Sequence, residues 1–193
     1  MSLEIITLIS TVSLALLGYL ITYWNDLRIS KRKDQLELIN KRISEFYGPL
    51  YVATQTGLMA YLALLKKLDR SAVFDDPKVK ASDEDILEWR IWLKNVFMPN
   101  NEFIEKLILE KAYLIQEQEM PKCLLDFITH VSGYKAIIGK WENGDFAENL
   151  SLNNFPPDVV KYATESYQEL KRKQLELIGK VKLDVKVNKK YSI

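Results

Sequence analysis

The chain is poor in the residues that most often carry chemistry. Its 193 residues include one cysteine and one histidine. A single thiol excludes an internal disulfide and any zinc site built from several cysteines, so a reducing compartment such as the cytosol fits best. Basic and acidic side chains nearly balance, at 27 against 26. A net charge of +1 is too small to attract nucleic acid, and we expect no nucleic-acid partner.

The sequence also lacks the short motifs that commonly mark an active site. It has no glycine-rich nucleotide loop, no HExxH zinc pair, no GxSxG nucleophile turn and no paired-cysteine motif. The apolar fraction of 48% is nevertheless that of a folded protein. We therefore expect no catalytic activity, no metal and no cofactor, and a function that depends on location and binding.

The longest uncharged stretch lies near the amino terminus. Residues 5–24 contain neither a charged residue nor a proline. At about 1.5 Å per residue, a helix of this length covers the ~30 Å hydrocarbon core of a bilayer. Tyr19, Tyr23 and Trp24 gather toward one end, where aromatic rings favour the membrane boundary. The pattern predicts a transmembrane anchor over residues 1–26.

A secretory signal peptide and a buried helix of a soluble domain are the alternatives to an anchor. The leading residues 1–4 contain no lysine or arginine, and no small-residue cleavage site ends the stretch, which disfavours the signal peptide. Four basic residues directly follow the stretch: Arg28, Lys31, Arg32 and Lys33. Basic residues stay on the cytoplasmic side. We expect a single-pass protein of the inner (cytoplasmic) membrane, with its amino terminus outside and its C-terminal domain in the cytoplasm.

Small residues recur along one side of the predicted span. Their spacing of 4, 4, 3 and 4 places them within a sector of roughly 80° on a helix. They are Thr7, Thr11, Ala15, Gly18 and Thr22. Such a stripe lets a second helix approach closely in lipid and predicts self-association or docking on a membrane partner. An anchor that merely contains these residue types is an equally weighted alternative.

The remaining sequence predicts an all-α protein, in which the membrane helix is followed by a cytoplasmic bundle of about five helices over residues 27–178. Apolar residues recur at helical spacing before Gly48, over residues 50–68, after the cap-like Ser82, and over residues 121–140 and 157–178. Because proline disfavours helix at the preceding residue, we expect breaks at Gly48–Pro49 and over residues 98–101, which include Pro99.

Residues 179–193 differ from the rest because apolar and polar residues alternate and five lysines are present. A single strand without a partner is unstable, so the pattern favours a basic flexible tail. If the lysines reach the anionic inner leaflet, each contact is worth ~1 kcal/mol.

One group of three side chains is a candidate site. Cys123, Asp126 and His130 lie at i, i+3 and i+7 of a predicted helix, within about a 60° sector. A thiol, a carboxylate and an imidazole together could bind a metal, or the histidine could activate the thiol. The three span about 10 Å along the axis and have apolar neighbours, which favours a structural role.

Five segments carry a resemblance: EFYGPLY (45–51), WLKNVFMPNNEFI (92–104), EMPKCLLDFITHVSGYK (119–135), KWENGDF (140–146) and LKRKQLELIG (170–179). In them the chain resembles a group of uncharacterised bacterial proteins with one N-terminal membrane span and a helical cytosolic domain. The resemblance implies localisation and helical class, and it supplies no catalytic residue. Proteins of this plan also occur among membrane components of bacterial phage-defence systems.

The sequence thus leads to a membrane-anchored helical module that acts by binding, as a subunit of a membrane-associated complex. The module would bind itself through the stripe and a protein partner through its helical domain. The alternative is a membrane effector or regulator that oligomerises through its span and perturbs the bilayer, for example in phage defence. A lone uncharged span provides no charged pore lining, so an effector would need several copies.

Overall fold

The computed structural model describes residues 2–74 and 80–179. The predicted all-α class is confirmed, since 81% of the chain is helical and the described residues contain no strand. Most of the predicted tail, residues 180–193, lies outside the described residues. Asp75 and Asp76 also lie outside them.

Six α-helices occur in the described ranges, so five follow the first, as expected. Their bounds are α1 Leu3–Arg42, α2 Gly48–Leu68, α3 Asp83–Trp92, α4 Met98–Lys111, α5 Lys122–Glu142 and α6 Asp158–Ile178. Two wide π-helical turns link helices: the first π turn, Ile43–Tyr47, joins α1 to α2, and the second π turn, Leu93–Phe97, joins α3 to α4. A short 3₁₀ turn, Ala112–Leu114, follows α4.

The apolar part of α1 is exposed throughout. Its mean hydropathy reaches 2.1 over an 18-residue window of which 0% is buried. Large side chains such as Leu8, Leu14 and Ile21 are among the most exposed of the described residues. The helix is long and apolar enough to cross a membrane.

The two predicted breaks at proline are wrong, because the helix continues through both prolines. Pro49 and Pro99 are each the second residue after a π turn, within the first turn of the following α-helix. A proline inside an α-helix has no N–H, and its ring clashes with the carbonyl four residues earlier. The wider turn removes that clash: the Gly48 N–H donates to the Ile43 carbonyl, and the Met98 N–H donates to the Leu93 carbonyl.

The start of α3 lies where the cap-like Ser82 predicts it. Ser82 caps the helix by accepting from the Asp85 N–H (3.1 Å), and Asp85 accepts in return from the Ser82 N–H (2.8 Å). Arg70 forms an ion pair with the same carboxylate at 2.8 Å. These donors lower the pKa of Asp85, with the Ser82 N–H as the largest cause. Asp85 therefore links the start of α3 to the segment that follows α2.

The described residues fall into two compact units. In one, residues 2–40 are joined by residues 173–179, where Gln174 donates to the Asn40 side chain at 2.6 Å. The other comprises Lys41–Arg172, in which α4 packs on α2 and α5. Its core is formed by large, fully buried side chains, among them Phe46, Tyr47, Leu64, Ile104, Ile108, Leu124, Phe127 and Leu170. The predicted boundary between residues 26 and 27 stays a prediction.

Candidate functional site

The three hydroxyl groups of the small-residue stripe of α1 all donate hydrogen bonds within the helix. Thr7 donates to the Leu3 carbonyl, Thr11 to the Thr7 carbonyl and Thr22 to the Gly18 carbonyl, at 2.9 to 3.0 Å. These hydroxyl oxygens still have lone pairs that can accept hydrogen bonds. A Cβ added at Gly18 would meet no atom within 4 Å. The stripe is therefore suited to close helix packing more than to hydroxyl donation.

The basic residues that follow the apolar stretch are exposed, and one of them has a defined partner. Arg32 donates through Nε to the Leu177 carbonyl at 2.5 Å, near the end of α6. A cation is favoured there because the last carbonyls of a helix carry partial negative charge. Arg28, Lys31 and Lys33 are exposed as well.

Cys123, Asp126 and His130 each have a different environment. Asp126 is half-exposed and pairs with Lys122 at 2.6 Å. Cys123 is half-buried, and burial raises the pKa of its thiol, whereas a nucleophilic cysteine requires a lowered pKa. His130 is buried. Among the described residues, no group of three or more His, Cys, Asp or Glu side chains could hold a metal ion.

His130 instead anchors a loop. Its Nδ1–H donates to the Asn153 carbonyl at 2.7 Å, which fixes the tautomer because a carbonyl only accepts. Nε2 is then left with a free lone pair. Burial lowers the pKa of His130, so the ring is neutral near pH 7.

A cavity of about 280 Å³ lies next to His130, within the unit Lys41–Arg172. The second π turn contributes Leu93 and Phe97 to its wall. The other lining residues come from α2, the segment after it, α3, α4, α5 and the loop before α6: Thr54, Gly57, Leu58, Tyr61, Ala72, Val73, Phe74, Trp89, Asn100, Asn101, Ile104, His130, Tyr134, Leu150, Asn154 and Phe155.

The cavity wall is rich in aromatic rings that contact one another. Trp89 meets Phe74 edge-on at 5.6 Å between ring centroids and lies 5.7 Å from Phe97. His130 meets Tyr134 at 5.0 Å and Phe155 at 5.5 Å, both edge-to-face. The three edge-to-face pairs have a favourable geometry for aromatic rings, so they help to hold the wall together.

The loop that closes one side of the cavity is fixed to α5 by a close approach at Gly133. A Cβ at this position would lie 2.1 Å from the Ser151 Oγ, so only glycine fits. Ser151 Oγ in turn accepts from the Asn153 N–H at 3.2 Å. Together with the bond from His130 to Asn153, these contacts hold Leu150, Asn154 and Phe155 against the cavity.

Another close approach positions the amide groups of α4. A Cβ at Gly57 of α2 would lie 2.9 Å from the Asn100 Nδ2, and this nitrogen donates to the Ala53 carbonyl at 3.1 Å. Asn101, the next residue, is only 8% exposed. No described residue hydrogen-bonds to its side-chain amide, although the residue lines the cavity.

Sequence reasoning missed this cavity. The prediction of a helix break at residues 98–101 treated Asn100 and Asn101 as turn residues, whereas they lie in the first turns of α4. The available signal was Gly133, because a glycine within a strong helical pattern often marks a close packing contact. The lining residues are also too scattered along the sequence for any local pattern to group them.

Comparison with protein-family models, with curated proteins and with solved structures returned no match.

Proposed function

We propose that this chain is a single-pass membrane protein that presents a helical binding domain at the inner face of the cytoplasmic membrane, without catalytic activity. The exposed apolar stretch of α1 is the observation that carries the proposal. In water, so large a continuous apolar surface is unfavourable, whereas lipid removes that cost. Anchoring raises the effective concentration of the domain for partners at the same surface.

The proposed orientation follows from charge. Arg28, Lys31, Arg32 and Lys33 follow the apolar stretch, whereas Glu4 is the sole charged side chain before it. The positive-inside rule then keeps the C-terminal domain in the cytoplasm.

Binding of a protein partner is supported by an unpaired apolar surface on α2. Val52, Met59 and Leu62 lie on one side of this helix, and Met59 is 67% exposed. Exposed apolar surface of this kind commonly marks an interaction site. We propose it as the face that contacts a partner.

Fractionation of the full chain and a C-terminal reporter test the anchor. We expect the protein to resist alkaline extraction and to dissolve only with detergent. A fluorescent reporter fused to its C-terminus should be active inside the cell. Recovery of the full chain as a soluble species, or a reporter active only outside, would contradict the proposal.

Self-association through the stripe is tested by crosslinking in native membranes. We expect Gly18→Leu to reduce a crosslinked dimer, because the larger side chain separates the helices. Ser13→Leu is the matched control, since Ser13 lies on the opposite side of α1. An equal yield from Gly18→Leu and Ser13→Leu would show that the stripe is not the contact.

The effector alternative stays a prediction, and membrane potential separates it from the binding module. An effector should depolarise cells as its level rises, and Gly18→Leu should suppress the effect. A binding module should leave the potential unchanged at every level of expression.

A further inference from the structure

We propose that the cavity beside His130 binds a neutral, planar ring compound that carries a carboxamide or lactam group, with Asn101 as the residue that pairs with that group. This inference does not depend on the membrane anchor, because every residue it uses lies in the unit Lys41–Arg172.

The walls favour a flat ring over a flexible chain. Rings of Phe74, Trp89 and Phe97 contact one another on one part of the wall, and His130, Tyr134 and Phe155 do so on another. Aromatic rings attract other rings in stacked or edge-to-face geometry beyond the gain from buried area. A cavity of about 280 Å³ is close to the lower end of the usual range for small-molecule sites.

Asn101 supplies the polar specificity. The residue is 8% exposed, and its amide has neither donor nor acceptor partner among the described residues. The amide is not sealed from solvent, because Arg42 Nε is the one fully buried polar side-chain atom without a partner in the described part of the chain. Water in the cavity can therefore hydrate the amide of Asn101, and a ligand that reproduces those hydrogen bonds can displace that water. A carboxamide offers one donor and one acceptor side by side, which matches the two groups of an asparagine amide.

His130 provides a further acceptor at the cavity. Since Nδ1–H is bound to the Asn153 carbonyl, Nε2 can accept a hydrogen bond from the ligand. The other N–H of a primary carboxamide is a suitable donor. Burial keeps the ring neutral, so His130 does not favour an anion.

The described lining residues include no Asp, Glu, Lys or Arg. An ion would lose its hydration in such a cavity without gaining a counter-charge, which is strongly unfavourable. The ligand should therefore be uncharged. Its access route is marked by Leu58, which is 40% exposed although it lines the cavity.

Three matched probes test the proposal on the full chain in detergent micelles: 2-naphthamide, 2-naphthoate and 2-methylnaphthalene. Probe fluorescence reports binding, and equal detergent in every sample keeps micelle partitioning constant. We expect saturable binding of one 2-naphthamide per chain, weaker binding of 2-methylnaphthalene and no saturable binding of 2-naphthoate.

The deciding variant is Asn101→Leu. We expect it to weaken 2-naphthamide binding by about tenfold and to strengthen 2-methylnaphthalene binding, because an apolar group of similar size replaces the amide. Asn95→Leu is the matched control, since Asn95 is exposed and does not line the cavity. It should leave both affinities unchanged.

Several results would overturn the inference. One is the absence of saturable 2-naphthamide binding to the unchanged chain, and another is equal loss in Asn101→Leu and Asn95→Leu. Tighter binding of trimethylphenylammonium than of 2-naphthamide would instead indicate a cation site built from aromatic rings.

If Asn101→Leu does not fold, Leu58→Trp replaces it as the test, because Leu58 lines the cavity and a larger side chain there would fill it. Loss of 2-naphthamide binding in that variant would support the inference, and retention would overturn it.

Discussion

The apolar stretch of α1 and the unit Lys41–Arg172, here called the cavity domain, use hydrophobic residues in opposite ways. In α1 the apolar side chains are consecutive in sequence and point outward on every side, and none is buried. In the unit Lys41–Arg172 they recur at helical spacing and point inward, where they form a core and an aromatic cavity wall. The first region leaves its apolar surface exposed and is long enough to cross a membrane, whereas the second excludes solvent by itself.

This difference decides which mutations each region tolerates. The proposed membrane anchor depends on the total hydropathy of the apolar stretch, so most apolar replacements should be equivalent and a charge should be the damaging change. The cavity domain depends on shape, so a single added carbon at a close contact has a large effect.

Two charges in the span should abolish insertion. The double variant Leu14→Arg with Leu17→Arg raises the free energy of insertion by about 3 kcal/mol for each residue. We expect the protein to leave the membrane fraction, as measured by alkaline extraction. Glu37→Arg, placed in α1 beyond the apolar stretch, should have no effect. Membrane retention of the double variant would mean that the stretch is not the anchor.

One methyl group at Gly133 should destabilise the cavity domain. Gly133→Ala drives a Cβ into Ser151 Oγ, and we expect a loss of about 1–3 kcal/mol in the free energy of unfolding, measured by denaturant titration. Gly139→Ala lies in the same helix with open space around it. That control should be neutral or stabilising by up to about 1 kcal/mol. Equal effects at the two positions would remove the close contact as an explanation.

The cap of α3 should contribute less. Asp85→Asn weakens the capping box and the ion pair with Arg70, and we expect a loss of about 1 kcal/mol. The stability advantage of the wild type should be present above the unfolded pKa of about 3.8 and should disappear as pH falls through the lowered pKa of Asp85.

Lys94→Ala breaks an ion pair with Glu142, and the two side chains of that pair are 54% and 59% exposed. It should change stability by less than about 0.5 kcal/mol.

The smallest effect expected is a gradual loss of stability in mild acid. Because burial lowers the pKa of His130, the unfolded chain takes up a proton near pH 6.5 that the folded chain does not. Stability should fall as pH decreases from about 6.5 and level off below the folded pKa of His130. In His130→Phe this loss should be absent between pH 7 and 5. An identical slope in both proteins would assign the loss to other groups.

Sequence alone predicted the features that depend on local pattern. Composition identified the apolar stretch, Ser82 followed by acids predicted the start of α3, and regular spacing predicted α6. The error at Pro49 and Pro99 has a physical origin. The local rules predict that proline ends an α-helix, but a π turn before the proline lets the helix continue.

The cavity escaped sequence analysis because its parts are distant in the chain. Asn101 belongs to α4, His130 to α5 and Phe155 to the loop before α6. Asp126 and Cys123 share a helix with His130 at suitable spacing, yet its ring contacts Tyr134 of the same helix and Asn153 and Phe155 of the loop before α6. Periodicity finds residues on one face of one helix, and tertiary packing decides what meets that face.

The second π turn also sets the rotational phase of the aromatic wall. Trp92 and Phe97 are five residues apart, which in an α-helix would direct them about 140° away from each other. The wide turn brings their ring centroids to 6.0 Å instead. A regular α-helix of the same length would rotate Trp89 around the axis by about 100° relative to α4, whereas deleting one residue as well would leave Trp92 and Phe97 only about 40° apart and so keep their phase. In the first case every aromatic side chain would still be present, yet the wall would come apart, so the width of this turn matters as much as its composition.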